Sequence, residues 1–323
     1  MARVQWCGRS MAVIALLLTM PWMAKPVAAG QGKLSIHTSF DPGTESWEFI
    51  KAVKPPVVKL LDNFGPAAQI KQVSPSTLIV GRIYLPNQPQ SGDPTQAAQA
   101  WFNDHKGTIT ANPAVDYWEG YNEPGAGTLQ DMQWIGQFEA ARVKLLAGIG
   151  AKASVGNFGT GSPDVTQADH INAFNPAIDA AIQHNGILGL HEYNSPILAN
   201  CFDNSTGEGW MTGRYRKYYR QFLIPSNRTL PLVVSEFGID NSPCTQPASP
   251  NFGGWRKYCS WWSAHGHGSD CAQTYVNMML WYDALLRQDS YVLGATIYQL
   301  EIPGWQDYSI AGNVTTLLTQ VLR

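Results

Sequence analysis

The sequence predicts an α/β chain folded as a single (β/α)8 TIM barrel, and three observations lead there. Eight short apolar runs of strand length recur along the chain, with stretches of helical character between them. No linker, internal repeat or low-complexity tract interrupts that alternation. Polar side chains gather where the strands give way to loops: His37, Asp62, Arg82, Glu123, Asn157, His191, Tyr193, Glu236 and Gln299. In a barrel those positions share one face, where βα loops build a site. A doubly wound open sheet would use the same alternation, but no Gly-X-Gly-X-X-Gly turn follows the first strand.

The elements follow in order. Residues 1–29 read as a secretory signal: Arg3 and Arg9 make a basic start, 11–23 is apolar but too short to span a bilayer, and Val27-Ala28-Ala29 offers small residues for cleavage. The mature chain, 30–323, then has the length of one barrel and no further run able to span a membrane. Strands are expected at 33–37, 57–61, 77–84, 114–121, 151–156, 187–193, 232–235 and 292–299. The clearest helices are 129–146, 213–223, 271–287 and 315–321. Thr128 and Asp131 resemble a capping box, with Asp in place of Glu.

Composition narrows the function. Losing the basic Arg3, Arg9 and Lys25 with the signal takes the formal charge from −2 to −5, which gives no electrostatic reason to bind nucleic acid. Trp (12) and Tyr (13) are plentiful enough to serve both a core and the apolar faces of sugar rings. Cys201, Cys244, Cys259 and Cys271 remain after the signal, an even number that points to two disulfides with three possible pairings. Cys201–Cys244, tying two loops on one face, and Cys259–Cys271, closing a short loop, are the favoured pairs. The spacing is too wide for usual zinc motifs. Asn204, Asn227 and Asn313 lie in Asn-X-Ser/Thr sequons.

Two segments carry chemistry: Tyr117-Trp-Glu-Gly-Tyr-Asn-Glu-Pro124 and Leu232-Val-Val-Ser-Glu-Phe-Gly238. Each reads as a strand followed by a glutamate at a loop edge. Two such carboxylates facing across one cleft are the minimum equipment for breaking a glycosidic bond, one as proton donor and one as nucleophile or activator of water. The pair Glu123 and Glu236 on strands four and seven is far more informative than either motif alone. Glu119 points the same way as Glu123 by alternation and is read as structural. Asp240 reads as a loop-capping residue, and His265-Gly-His267 as a flexible loop rather than a metal fragment. Trp255, Trp261 and Trp262 are equally suited to stacking on sugars or to packing a tied loop.

Asn122-Glu123-Pro124 and Glu236 resemble clan A of the glycoside hydrolases, the retaining (β/α)8 enzymes. The resemblance implies Glu123 as acid/base, Glu236 as nucleophile and Asn122 as partner of the sugar 2-hydroxyl. His191-Glu-Tyr193 is similar to the clan's His-X-Tyr, whose tyrosine contacts the nucleophile, and Arg82 is expected to pair with Glu236. Gln299-Leu-Glu301 stands where many members carry a tryptophan, and Trp305 follows later. His37, Asn157, Gln299 and Trp305 complete the expected substrate-binding set. The resemblance further implies double displacement without metal or organic cofactor, with Glu123 initially protonated beside the negative Glu236. The expectation is a monomeric secreted glycosidase acting internally on a β-linked polysaccharide or oligosaccharide. A non-catalytic barrel that binds carbohydrate or protein and a transglycosylase using the same glutamates remain alternatives.

Overall fold

In the computed structural model the described residues are 32–39, 44–244 and 253–323, so the expected signal 1–29 lies outside them. Eight parallel strands close into a barrel. They are β1 (Leu34–Thr38), β2 (Val57–Leu61), β3 (Leu78–Arg82), β4 (Tyr117–Glu119), β5 (Ala153–Phe158), β6 (Ile187–Ser195), β7 (Leu232–Pro243) and β8 (Val292–Leu300). Outside them lie α1 (Glu45–Val53), α2 (Ala67–Val73), α3 (Pro94–Ala111), α4 (Leu129–Ala147), α5 (Ala168–Ala173), α6 (Asn175–Gln183), α7 (Tyr215–Tyr218), α8 (Cys259–Ala264), α9 (Cys271–Leu286) and α10 (Asn313–Leu322). A short antiparallel ribbon, Phe202–Asp203 with Glu208–Gly209, decorates the loop after β6.

Strand alternation sorts side chains between two cores. Outward-facing Val58, Leu60, Ile79 and Trp118 pack against the helices. Inward-facing Val57, Val80, Ile187 and Val233 form a small apolar plug in the barrel. One step further along the same inward rows come Lys59, Arg82, Gly189 and the bulged Ser235–Glu236. The interior therefore changes from apolar to charged over two residues of strand.

Three register shifts bring polar groups to the rim. Val234 pairs with Leu190 and Glu236 with His191, leaving Ser235 as the extra residue on β7. Asn157 is extra on β5 and Gln299 on β8. Bulges of this kind re-aim side chains and are common at barrel rims. Gly189 makes room for one of them, because a Cβ there would lie 2.0 Å from Asn157 Oδ1.

The strand boundaries differ most from expectation at β4 and β7. The β4 strand is only Tyr117–Glu119, because the chain turns away at Gly120, whose Cβ would collide with Glu139 and Arg142. The β7 strand continues seven residues past Glu236 by pairing with β6 as far as Ser195, which raises one wall of the barrel mouth. Both expected disulfides are present, and Cys201–Cys244 ties the loop after β6 to the end of that wall. Among the helices, 213–223 begins late: Glu192 accepts from Gly213 N and Tyr215 N (2.6 Å each), and α7 passes into a π-helix over Tyr219–Leu223. The capping box on α4 has both reciprocal bonds, Asp131 N to Thr128 Oγ1 (3.1 Å) and Thr128 N to Asp131 Oδ2 (3.0 Å).

Candidate active site

The site forms at the C-terminal mouth of the barrel around Glu236, which is 5 % exposed. Its Oε1 accepts from Lys59 Nζ on β2 and Arg82 Nη1 on β3, each at 2.9 Å. Its Oε2 accepts from Tyr193 Oη on β6 at 2.8 Å. His37 Nδ1 lies 3.5 Å from Oε1, too far for a good bond. Burial pushes the Glu236 carboxyl upward, but His191 first, then Lys59 and other neighbours including Arg82, outweigh it and hold it well below the usual range. Burial and the charge of Lys59 keep His37 neutral. Tyr193, raised by burial and by Glu236, keeps its proton and donates it.

Glu123 arrives by a different route. It lies four residues beyond the end of β4, in the left-handed region at φ 47°. Two glutamines from the loop after β3 hold this turn. The Gln88 side-chain amide bonds both N and O of Asn122, and Gln90 does the same for Gly125. Glu123 N donates to Asn157 O at 3.0 Å. Gly159 backs the carboxylate, since a Cβ there would be 3.1 Å from Glu123 Cδ. The side chain itself is 45 % exposed and opens to solvent.

His191 Nδ1 lies 2.8 Å from Glu123 Oε1 and 3.6 Å from Glu236 Oε2. One carboxylate oxygen of each glutamate and a ring nitrogen of His191 fall within 4.8 Å of one another. Burial raises the Glu123 carboxyl, but the bond from His191 and its charge prevail, so Glu123 sits below the usual carboxylate range. The sequence reading set Glu123 beside Glu236 alone; its contact with His191 joins two strands, and strand order carries no information about that partner.

The other expected residues divide by what already engages them. Asn122 keeps a buried Oδ1 without a partner beside Glu123. Asn157 is fully buried, with Oδ1 3.0 Å from Ser154 Oγ. Gln299 donates from Nε2 to Trp305 O (2.8 Å) and accepts from Ile302 N (2.7 Å), so its amide holds the loop that carries Trp305. Trp305 is 49 % exposed and packs edge-on against Tyr298 (5.8 Å) and Tyr308 (5.6 Å). Tyr298 continues that aromatic wall to His37 (5.3 Å) and Tyr193 (6.1 Å). Trp255 and Trp262 are buried core, while Trp261 stacks on His265 at 3.9 Å. Asp240 accepts from Ser242 N and Oγ, and burial lifts it to about 7.

Sequence reading missed Lys59. It is fully buried and also lies 2.9 Å from Glu119 Oε2. The available signal was a single charge at the centre of the apolar strand Val-Val-Lys-Leu-Leu, on the same face as Val57.

No protein-family model matches the chain, and no curated protein does. Solved structures do share its fold. A β-glucuronidase from Ruminococcus gnavus in complex with uronic deoxynojirimycin superposes with a TM-score of 0.55 at 11% identity, covering 90% of this chain and 50% of that one. The β-glucuronidase of an uncultured Clostridium sp. gives a TM-score of 0.52 at 10% identity, with 90% and 50% coverage. A structure of fungal β-1,4-galactanases gives a TM-score of 0.52 at 12% identity, covering 82% of each chain. The chain spans about half the length of the two β-glucuronidases. At these identities the likeness shows the barrel fold, the architecture implied by the resemblance to clan A.

Proposed function

We propose that the protein is a secreted retaining glycoside hydrolase that cleaves a β-linked polysaccharide or oligosaccharide internally by double displacement. The observation that carries this reading is the approach of Glu123 and Glu236 to within 4.8 Å. Retaining pairs stand about 5–5.5 Å apart, whereas inverting pairs need about 6.5–9.5 Å to admit a water. The ionised state of Glu236 suits a nucleophile. The names of the fold neighbours, β-glucuronidase and β-1,4-galactanase, supply the expectation of a β-linked substrate. Two disulfides suit an oxidising compartment.

In the first step Glu236 attacks the anomeric carbon as the bond from that carbon to the leaving oxygen breaks, and Glu123 passes a proton to that oxygen. His191 Nδ1, 2.8 Å from Glu123 Oε1, keeps that carboxyl oriented for the transfer. Forming the glycosyl ester removes the charge of Glu236, weakens the hold on that proton and frees Glu123 to act as base. Water then attacks the same carbon, gives its proton to Glu123 and releases Glu236. The unpartnered Asn122 Oδ1 supports its assignment to the sugar 2-hydroxyl, and the exposed Trp305 supports a sugar-stacking role at the rim.

The test is reducing-sugar release by the mature chain across β- and α-linked polysaccharides, with proton NMR of the first-formed anomer. Cleavage with retained configuration is expected, and Glu236→Ala should abolish it. Glu123→Gln should lower it by about 10²–10⁴-fold on unactivated substrates. An inverted product, or polysaccharide binding without turnover that neither variant changes, would overturn the reading.

A further inference from the structure

Behind Glu236 lies a second carboxylate that the double displacement does not use. Lys59 Nζ is 2.9 Å from Glu236 Oε1 and 2.9 Å from Glu119 Oε2, and all three side chains are buried. Glu236 alone faces two cations, Lys59 and Arg82, so a second carboxylate balances the buried charge. Without Lys59 the two carboxylates would have Arg82 as their one nearby strong cation, and the ionised form of Glu236 would be less favoured. We propose that Lys59 and Glu119 form a positioning pair for the nucleophile: Lys59 fixes Oε1 and keeps Glu236 ionised, and Glu119 holds Lys59 and offsets its charge. This inference rests on the nucleophile role given to Glu236 above.

The bonding of the two Glu236 oxygens supports it. Lys59 and Arg82 both donate to Oε1, which leaves that atom no free in-plane lone pair. Among the described residues Oε2 accepts only from Tyr193, and it lies on the His191 side, toward Glu123. The geometry therefore assigns Oε2 as the attacking atom and Oε1 as the anchored one. Glu119 has a matching use. A buried ammonium beside the reacting carbon opposes the positive charge of an oxocarbenium-like transition state, and a carboxylate on its far side relieves that opposition. The groups that bear on Glu236 are His37 on β1, Lys59 on β2, Arg82 on β3, Glu119 and Glu123 at β4, His191 and Tyr193 on β6 and Tyr298 on β8.

The test compares Lys59→Met, Glu119→Gln and the double variant with the unsubstituted enzyme. In Lys59→Met the acid limb of kcat/KM should move about one pH unit or more upward, because Glu236 loses one of the two cations on Oε1 and keeps its rival carboxylate. The double variant should place the limb between those two. Glu119→Gln should leave the limb in place or lower it, yet reduce kcat about tenfold or more through the uncompensated Lys59. A purely structural role would lower the melting temperature and leave every limb unmoved, which would overturn the proposal. If Lys59→Met does not fold, the charge-neutral double variant carries the test, and an unmoved limb there is equally fatal. The Glu236 titration, followed by carbon NMR on glutamate-labelled protein, separates the two proposals. It should still rise in the Lys59 variants if the protein proves to cleave no glycan. An unchanged titration rejects the positioning role whatever the activity.

Discussion

Glu123 is held at four points: by its left-handed backbone, by Asn157 O, by His191 and by the bare flank of Gly159. The last is the easiest to probe. A methyl group at 159 makes the Glu123 side chain give by a few tenths of an ångström, where misplacing a reacting group by about an ångström can cost on the order of a hundredfold in rate. Gly159→Ala is therefore expected to cut kcat by about three- to tenfold while the melting temperature stays nearly constant. Gly107→Ala on α3 is the control, since nothing lies within 4 Å of that position. It should leave kcat alone and raise stability by up to about 1 kcal/mol. At this scale the sequence revealed the pair Glu123 and Glu236, because their residue types and strand positions state their chemistry. It also pointed to Arg82 and Tyr193 as partners of Glu236, but not to Lys59 or to the contact of His191 with Glu123. Lys59 and His191 act through contacts between strands, and a single strand's sequence does not name its neighbour's side chains.

At the scale of elements, Arg142 on α4 clamps three pieces together. Its Nη1 donates to Trp118 O on β4 (3.0 Å), its Nη2 to Ser154 O on β5 (2.7 Å), and its Nε to Glu139 Oε2 (2.8 Å). All of this is fully buried. Arg142→Leu strands the Glu139 carboxylate, which burial already raises against the pull of Arg142. Breaking such a pair costs about 3–5 kcal/mol. Urea unfolding should show that loss for the single variant and a much smaller one when Glu139→Leu is added. The clamp also accounts for the short β4: the arginine takes the Trp118 carbonyl, and Gly120 lets the chain pass the ion pair. Periodicity located all eight strands, yet it placed the end of β7 at Ser235. The bulge there breaks the two-residue repeat on which that boundary rests, and the continuation depends on pairing with β6. Tertiary pairing of this kind is invisible in a run of twelve residues read alone.

For the whole molecule, two buried carboxylates act in opposite senses on stability. Glu192, accepting from Tyr282 Oη, Gly213 N and Tyr215 N, is still raised by burial to about 7. Its contribution is complete below the unfolded value near 4.3 and is lost as pH rises through about 7. Glu236 is depressed, so its contribution is present above about 4.3 and is lost as pH falls through its folded value. The melting temperature should therefore peak at mildly acidic pH, roughly 4.5–6. Glu192→Gln should flatten the decline on the alkaline side, as differential scanning calorimetry across pH 4–8 would show. No described helix is long and apolar enough to cross a membrane. The Cys201–Cys244 bond bears on how such a protein is prepared. It fastens only the top of the β6–β7 wall, above strands already closed by their own hydrogen bonds. Under the proposed function, a Cys201→Ser, Cys244→Ser variant should then look native by circular dichroism, and it should still hydrolyse a small aryl glycoside. Its shortfall would appear only on long polymers, so a preparation judged sound by a chromogenic assay could be judged inactive on its proper substrate.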